Sequence, residues 1–202
     1  MIAVVDYGIG NLRSAEKALQ HLGADARLTT DAHAIEQADA VVLPGVGAFG
    51  ACMRALHDGG LAGATGAAAR DGRPFLGICI GMQMLFDGSD ETPEVPGLGV
   101  VAGRVTLLPR SERLPQIGWN TLDVASGSEL CAHLPDPAWL YFVHSYAPQP
   151  ADDGVVAAWS EYGRRFAAAI EFGAVWATQF HPEKSGAVGL RLLENFVEAV
   201  AA

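Results

Sequence analysis

Three short apolar runs, Ile2–Val5, 40–43 and 75–78, each give way to a glycine-bearing turn and then to a helix-like pattern. Uniformly apolar runs of four residues are too short for buried helices and fit strands covered on both faces. Between them, residues 11–22 place Leu12, Ala15, Ala18, Leu19 and Leu22 on one helical face, and Gly23 is positioned to stop the helix. Residues 51–58 and 61–70 read as two further helices separated by Gly59-Gly60, and 82–86 as the start of another. Such alternation predicts an α/β fold, an open, mostly parallel sheet flanked by helices. Ligands in these sheets bind beyond the carboxyl ends of the strands. The segment after Tyr7-Gly8, the loop Pro44-Gly45-Val46-Gly47 and Cys79 all lie at such ends.

The second half changes character. Residues 89–115 read as loops plus a strand near 104–108, and 139–143, 155–160, 166–171 and 175–179 as strands. Their short connections predict antiparallel strands appended to the main sheet. Residues 186–200 form an amphipathic pattern with Val188, Leu192, Leu193, Phe196, Val197 and Val200 inward. No repeat, low-complexity tract or linker interrupts the 202 residues, so one domain over 1–202 is expected. The net charge of −10 is scattered, which argues against a nucleic-acid or anionic-membrane surface. There is no signal-peptide pattern, no apolar run long enough to span a bilayer, and no CxxC pair among Cys52, Cys79 and Cys131. A cytoplasmic chain with free thiols is expected.

Gly77-Ile78-Cys79-Ile80-Gly81 has the form G-x-C-x-G, the cysteine counterpart of a nucleophile elbow. A side chain at the apex of a sharp strand-to-helix turn stands above the sheet, and flanking glycines let backbone pass closely. The helix start favours a thiolate, and the Ile80 N–H faces a developing oxyanion. The pentapeptide alone fits a buried structural cysteine equally well. His181-Pro182-Glu183 follows the strand at 175–179 and supplies a base with an orienting carboxylate, Pro182 restraining the turn so that no helix forms between them. Taken alone it also fits a surface turn. His144, at another strand end, is a candidate substrate contact; His21, His33, His57 and His133 read as surface or core residues, and Cys52 and Cys131 as structural thiols. The 44–47 loop fits an anion-binding nest or a plain turn. Gly8-Ile9-Gly10 fails as a dinucleotide loop because Arg13 replaces the third glycine, and no cluster has metal-ligand spacing. Neither a metal nor another cofactor is expected.

The stretch from Gly77 to Gln83, with Phe180-His181-Pro182-Glu183, resembles the class I (triad) glutamine amidotransferases. Within them, the opening Asp6 to Ser14, Pro44-Gly45-Val46-Gly47, Gly118-Trp119-Asn120 and His181 to Ser185 resemble the glutaminase subunits of imidazole glycerol phosphate synthases. The resemblance runs from about residue 2 to 200. It implies Cys79 as nucleophile, His181 as acid/base and Glu183 as its orienting partner. Gln83 and Glu91 match positions holding the α-amino and carboxylate ends of glutamine, and Ser145 and Tyr146 match strand-end substrate contacts. Gly45, Val46 and Gly47 match an oxyanion strand that rearranges before the hole, shared with Ile80, is complete. Asn11, Trp119, Asn120 and Lys184 match positions at the synthase partner and the ammonia gate.

The resemblance further implies a heterodimer with a (β/α)₈ cyclase. That partner joins ammonia to a ribulosyl nucleotide precursor, yielding imidazole glycerol phosphate and an aminoimidazole carboxamide ribotide. Ammonia released into neutral water becomes ammonium, so an enclosed path to another chain is expected. Three rivals remain at this level: a glutaminase serving another acceptor, a cysteine peptidase or thiol stress protein, and a non-catalytic binding module.

Overall fold

The computed structural model describes residues 1–201. In the first half β1 (Ile2–Val5), α1 (Leu12–His21), β2 (Ala26–Thr29), α2 (Ala32–Glu36), β3 (Ala40–Gly45), α3 (Phe49–Asp58), α4 (Ala62–Ala68), β4 (Phe75–Cys79) and α5 (Ile80–Met84) follow one another. The second half adds β5 (Gly88–Ser89), β6 (Gly103–Leu107), β7 (Gln116–Thr121), β8 (Asp123–Val124), β9 (Trp139–His144) and β10 (Tyr146–Pro150). It ends with β11 (Val156–Glu161), β12 (Arg165–Phe172), β13 (Val175–Thr178) and α6 (Gly186–Ala201).

Eight strands form the central sheet in the order β2-β1-β3-β4-β13-β12-β11-β8. The first five are parallel, and β12, β11 and β8 extend it antiparallel. The all-apolar strands β1, β3 and β4 are buried at every position, as strands covered on both faces must be. α1 packs through Leu12, Ala15 and Leu19, and α6 through Leu192, Leu193 and Phe196. Each large apolar side chain so buried contributes roughly 1.5–3 kcal/mol. Val188, Val197 and Val200 are only partly covered at the edge of the α6 contact.

Several expectations need correction. β13 does not merely append an antiparallel hairpin: it pairs antiparallel with β12 and parallel with β4, with Thr178 opposite Ile78. Its carboxyl end therefore lies at the same edge as Cys79. β9 is not in the main sheet but pairs with β7 in a separate two-stranded ribbon, and β10 joins β6 and β5 in a three-stranded one. The helix after Cys79 spans only Ile80–Met84, rather than running on from 82. β2, α2, β7 and β10 carry mixed polar and apolar residues too short for a clear period, which is why the pattern did not announce them.

Candidate active site

The sharpness of the turn at Cys79 follows from its glycines. Cys79 has φ 56° and ψ −109°, a conformation that L-residues other than glycine rarely adopt. A Cβ on Gly81 would fall 1.7 Å from the Leu43 carbonyl oxygen, so helix α5 can leave the sheet there only because residue 81 lacks one. Gly45 is equally constrained, since its Cβ would meet the Tyr7 hydroxyl at 2.8 Å and Ile80 Cβ at 2.9 Å. Cys79 is thus lifted above the sheet with the 45–47 loop packed against its turn. With only five residues in α5, its dipole is small, and the local N–H of Ile80 matters more than the helix as a whole.

His181 stands just beyond β13, brought to Cys79 by the parallel pairing of β13 with β4. Its backbone is tied on two sides. The His181 N–H donates to Tyr141 O at 2.9 Å, and the Ser185 hydroxyl donates to His181 O at 2.6 Å. Contrary to expectation, one turn of 3-10 helix forms over Pro182–Lys184, because proline at its first position loses no hydrogen bond there. That turn brings Glu183 back onto the imidazole, with Oε1 2.8 Å from Nδ1 and both side chains almost wholly buried. The Nε2 of His181 is buried without a hydrogen-bond partner and is the nitrogen left for the sulfur side. Burial pulls the His181 pKa down, but the adjacent Cys79 sulfur and the Glu183 carboxylate overcome it and raise it to about 9.

A cavity of ≈ 590 Å³ opens over these groups. The carboxyl ends of four neighbouring strands supply Gly10 and Asn11 after β1, Val46 and Gly47 after β3, Cys79 and Ile80 after β4, and His181 and Lys184 after β13. Gln83 of α5, Glu91, and Val143, His144, Ser145 and Tyr146 at the β9–β10 bend line the rest of the cavity. Glu183 sits behind His181, and Gly45 lies beneath the loop; neither lines the cavity itself.

The polar groups of the wall have distinct states. One oxygen of Glu91 accepts the Phe49 N–H at the start of α3, at 2.7 Å. Gln83 Nε2 donates to Tyr146 O at 3.1 Å and to Gln179 Oε1 at 2.9 Å, leaving Gln83 Oε1 unpartnered. His144 Nδ1 is 2.8 Å from Tyr146 O, so it carries the proton there, and its buried Nε2 is a bare acceptor. Burial lowers the His144 pKa to about 4, and rings of Phe142 and Phe166 at 5.7 and 5.1 Å hold it. The Cys52 thiol donates to Val46 O at 3.3 Å, fixing one peptide of the 45–47 loop, where Gly47 has φ +93°. Burial raises the thiols of Cys52 and, to about 11, Cys131.

Trp119 and Asn120 lie outside the cavity, on the ribbon of β7 and β9. Asn120 Nδ2 donates to Glu161 O at 2.8 Å, while Trp119 is 54% exposed. Trp119 pairs with Tyr141, and Thr121 with Trp139, which sets Ile117, Trp119 and Trp139 on one face. Ile117 and Trp139 are exposed as well. Sequence reasoning missed those two, although Ile117 and Trp119 alternate with polar neighbours, and it missed Gln179. A glutamine directly after the short strand Val175–Thr178 was the available signal for the latter.

The family model for "Glutamine amidotransferase class-I" matches residues 3–200. The chain belongs to the class-I glutamine amidotransferases. This amidotransferase is 49% identical over 202 residues, covering all of both chains, to "Imidazole glycerol phosphate synthase subunit HisH" of Methanothermobacter thermautotrophicus. It is 48% identical to the protein of the same description in Deinococcus radiodurans, covering 99% of this chain and 94% of that one. A solved structure described as a glutamine amidotransferase superposes with TM-score 0.76 over 100% of both chains at 23% identity, a likeness of fold. Among the described residues no helix is long and apolar enough to cross a membrane.

Proposed function

We propose that this chain is the glutaminase subunit of an imidazole glycerol phosphate synthase, a single amidotransferase domain over residues 1–202 that acts in the cytoplasm on histidine biosynthesis. Cys79 attacks the side-chain amide carbon of glutamine as a thiolate. The backbone N–H of Ile80 and those of Val46 and Gly47, with Gly45 supporting the loop from below, hold the oxyanion that forms. His181, oriented by Glu183, passes its proton to the leaving nitrogen, so ammonia departs and a γ-glutamyl thioester remains. The neutral imidazole then takes a proton from water, whose oxygen attacks the thioester to release glutamate and restore the sulfur.

Substrate orientation follows from the donor and acceptor inventory. Glu91 is an anion, and Gln83 has only its carbonyl oxygen to spare because its amide hydrogens are engaged. Both therefore suit the α-ammonium end of glutamine, with Ser145, Tyr146 and the neutral His144 lining the same cavity. The exposed face of Ile117, Trp119 and Trp139 suits a partner chain; Asn11 and Lys184, which line the cavity, are assigned to the ammonia gate, and Asn120, on the same ribbon as Trp119, to the partner side. That partner is a (β/α)₈ cyclase, which uses the ammonia to form imidazole glycerol phosphate and releases an aminoimidazole carboxamide ribotide.

The observation that carries the assignment is the buried His181–Glu183 pair beside a cysteine held at positive φ. Glutamine hydrolysis by the chain alone, and then with the cyclase and its nucleotide ligand, tests it. Slow turnover alone and faster turnover in the liganded complex are expected, with nitrogen-labelled glutamine delivering label to the imidazole. Label found only in bulk ammonium, or equal rates in both states, would contradict the proposal.

A further inference from the structure

Gln179 is fully buried immediately after β13, and nothing in the mechanism above uses it. The parallel register sets Thr178 opposite Ile78, so the next residues, Gln179 and Cys79, lie side by side at the carboxyl edge of the sheet, Cys79 still paired with Gly45 on its other side. The Gln179 backbone N–H donates to Ala168 O at 2.8 Å, anchoring the residue to β12. Its side chain then reaches the nucleophile: Nε2 lies 3.6 Å from Cys79 Sγ, within donor distance for sulfur.

The direction of this bond is set by a chain of carboxamides. Tyr146 O can only accept, so the Gln83 end that meets it at 3.1 Å is the NH₂ group. The same Gln83 nitrogen lies 2.9 Å from the Gln179 amide, which must therefore present its oxygen. Turning the Gln179 amide over would set two NH₂ groups against each other and point a carbonyl lone pair at the sulfur. The Gln179 N–H is thereby committed to Cys79, and the Gln83 Oε1 is left free as an acceptor.

We propose that Gln179 is a positioning residue for the nucleophile, donating a hydrogen bond to Cys79 Sγ in an orientation imposed by Gln83 and Tyr146. This rests on Cys79 being the nucleophile of the proposed glutaminase. A hydrogen bond to sulfur favours the thiolate over the thiol and holds the side chain in one rotamer. Because the bond runs through Gln83, a wall residue that faces the substrate's ammonium end, the sulfur and the substrate pocket share one polar network.

The test uses the full chain and two variants. Gln179→Met keeps the volume without the donor, and Gln179→Glu keeps the acceptor for Gln83 while presenting an oxygen to the sulfur. Iodoacetamide labelling of Cys79, followed at that residue by peptide mass spectrometry from pH 5 to 10, reads the sulfur directly. At pH 7 labelling is expected to slow about tenfold in Gln179→Met, the size of effect a single hydrogen bond to a charged group has. Its pH profile should move to higher pH, and Gln179→Glu should be slower still. In glutamine hydrolysis, kcat should fall by more than KM rises. Thermal unfolding identifies any variant that fails to fold. Folded variants whose labelling profile overlays that of the unaltered chain would overturn the proposal. Failure of the glutaminase assignment is a different result: Cys79→Ser would then leave glutamine hydrolysis intact.

Discussion

His181 Nδ1 lies 2.8 Å from Glu183 Oε1, with the two side chains only 2% and 3% exposed. Two groups so close and so dry fix each other's state. The carboxylate accepts the Nδ1 proton and turns Nε2 toward the sulfur side, and it holds a positive imidazolium more firmly than water would. Replacing Glu183 with glutamine keeps the size and removes the charge. Glu183→Gln is expected to lower kcat for glutamine by roughly 10² with little change in KM, measured by steady-state ammonia release.

The same pair sets a pH limit. His181 titrates at about 9 in the folded chain, so its imidazolium is present at neutral pH and is lost as pH rises through that value. Glutaminase activity should therefore fall above about pH 9, and in Glu183→Gln the fall should begin at lower pH. A profile flat to pH 10 would exclude His181 as the proton donor.

His144 predicts the opposite trend in stability. Its folded pKa is about 4 against an ordinary 6.5, so between those values the unfolded chain binds a proton that the folded chain does not. The stabilising contribution is present above pH 6.5 and is lost as pH falls toward 4. His181, raised to about 9, contributes stability that is full below 6.5 and is lost as pH rises through 9. Melting temperatures from pH 4 to 7 should show a slope that His144→Phe reduces.

Gly81 should not accept even one methyl group. The Leu43 carbonyl occupies the place a Cβ would take, 1.7 Å away, and it belongs to a central strand that cannot retreat cheaply. Gly81→Ala is expected to destabilise by more than about 3 kcal/mol or to prevent folding, read by denaturant unfolding. Gly63→Ala, where a Cβ meets nothing within 4 Å, serves as the control.

Trp119 tests the partner face. It is 54% exposed, its ring meets Tyr141 edge-on at 6.1 Å, and it does not line the cavity. Trp119→Ala should leave the melting temperature and the basal hydrolysis of the isolated chain nearly unchanged. Affinity for the cyclase should drop about tenfold or more, the loss expected of a buried aromatic anchor, measured by titration calorimetry.

The part of the site that could be read in advance came from residues whose chemistry is local. Glycines at 77 and 81 have meaning only around a tight turn, and His-Pro-Glu fits three residues of backbone. Likewise β1, β3 and β4 are apolar throughout because both faces are covered. What escaped depends on register between distant segments. Gln179 reaches Cys79 only because β13 runs parallel to β4, and Ile117 joins Trp139 only because β7 pairs with β9. Neither pairing leaves a trace in the spacing of a single segment. Pro182 departs from expectation for a different, local reason: proline blocks the interior of a helix but is well suited to the first position of a short one.

The most direct measurement is the covalent state of the three cysteines after reaction with a glutamine-analogue electrophile. Cys52, Cys79 and Cys131 are all buried and free, so burial alone does not distinguish them. Intact-mass and peptide mapping should find one adduct per chain, on Cys79, protected by excess glutamine and absent in Cys79→Ser. An adduct on Cys52 or Cys131 instead, or labelling of Cys79 that glutamine does not slow, would contradict the assignment of Cys79 as the glutaminase nucleophile.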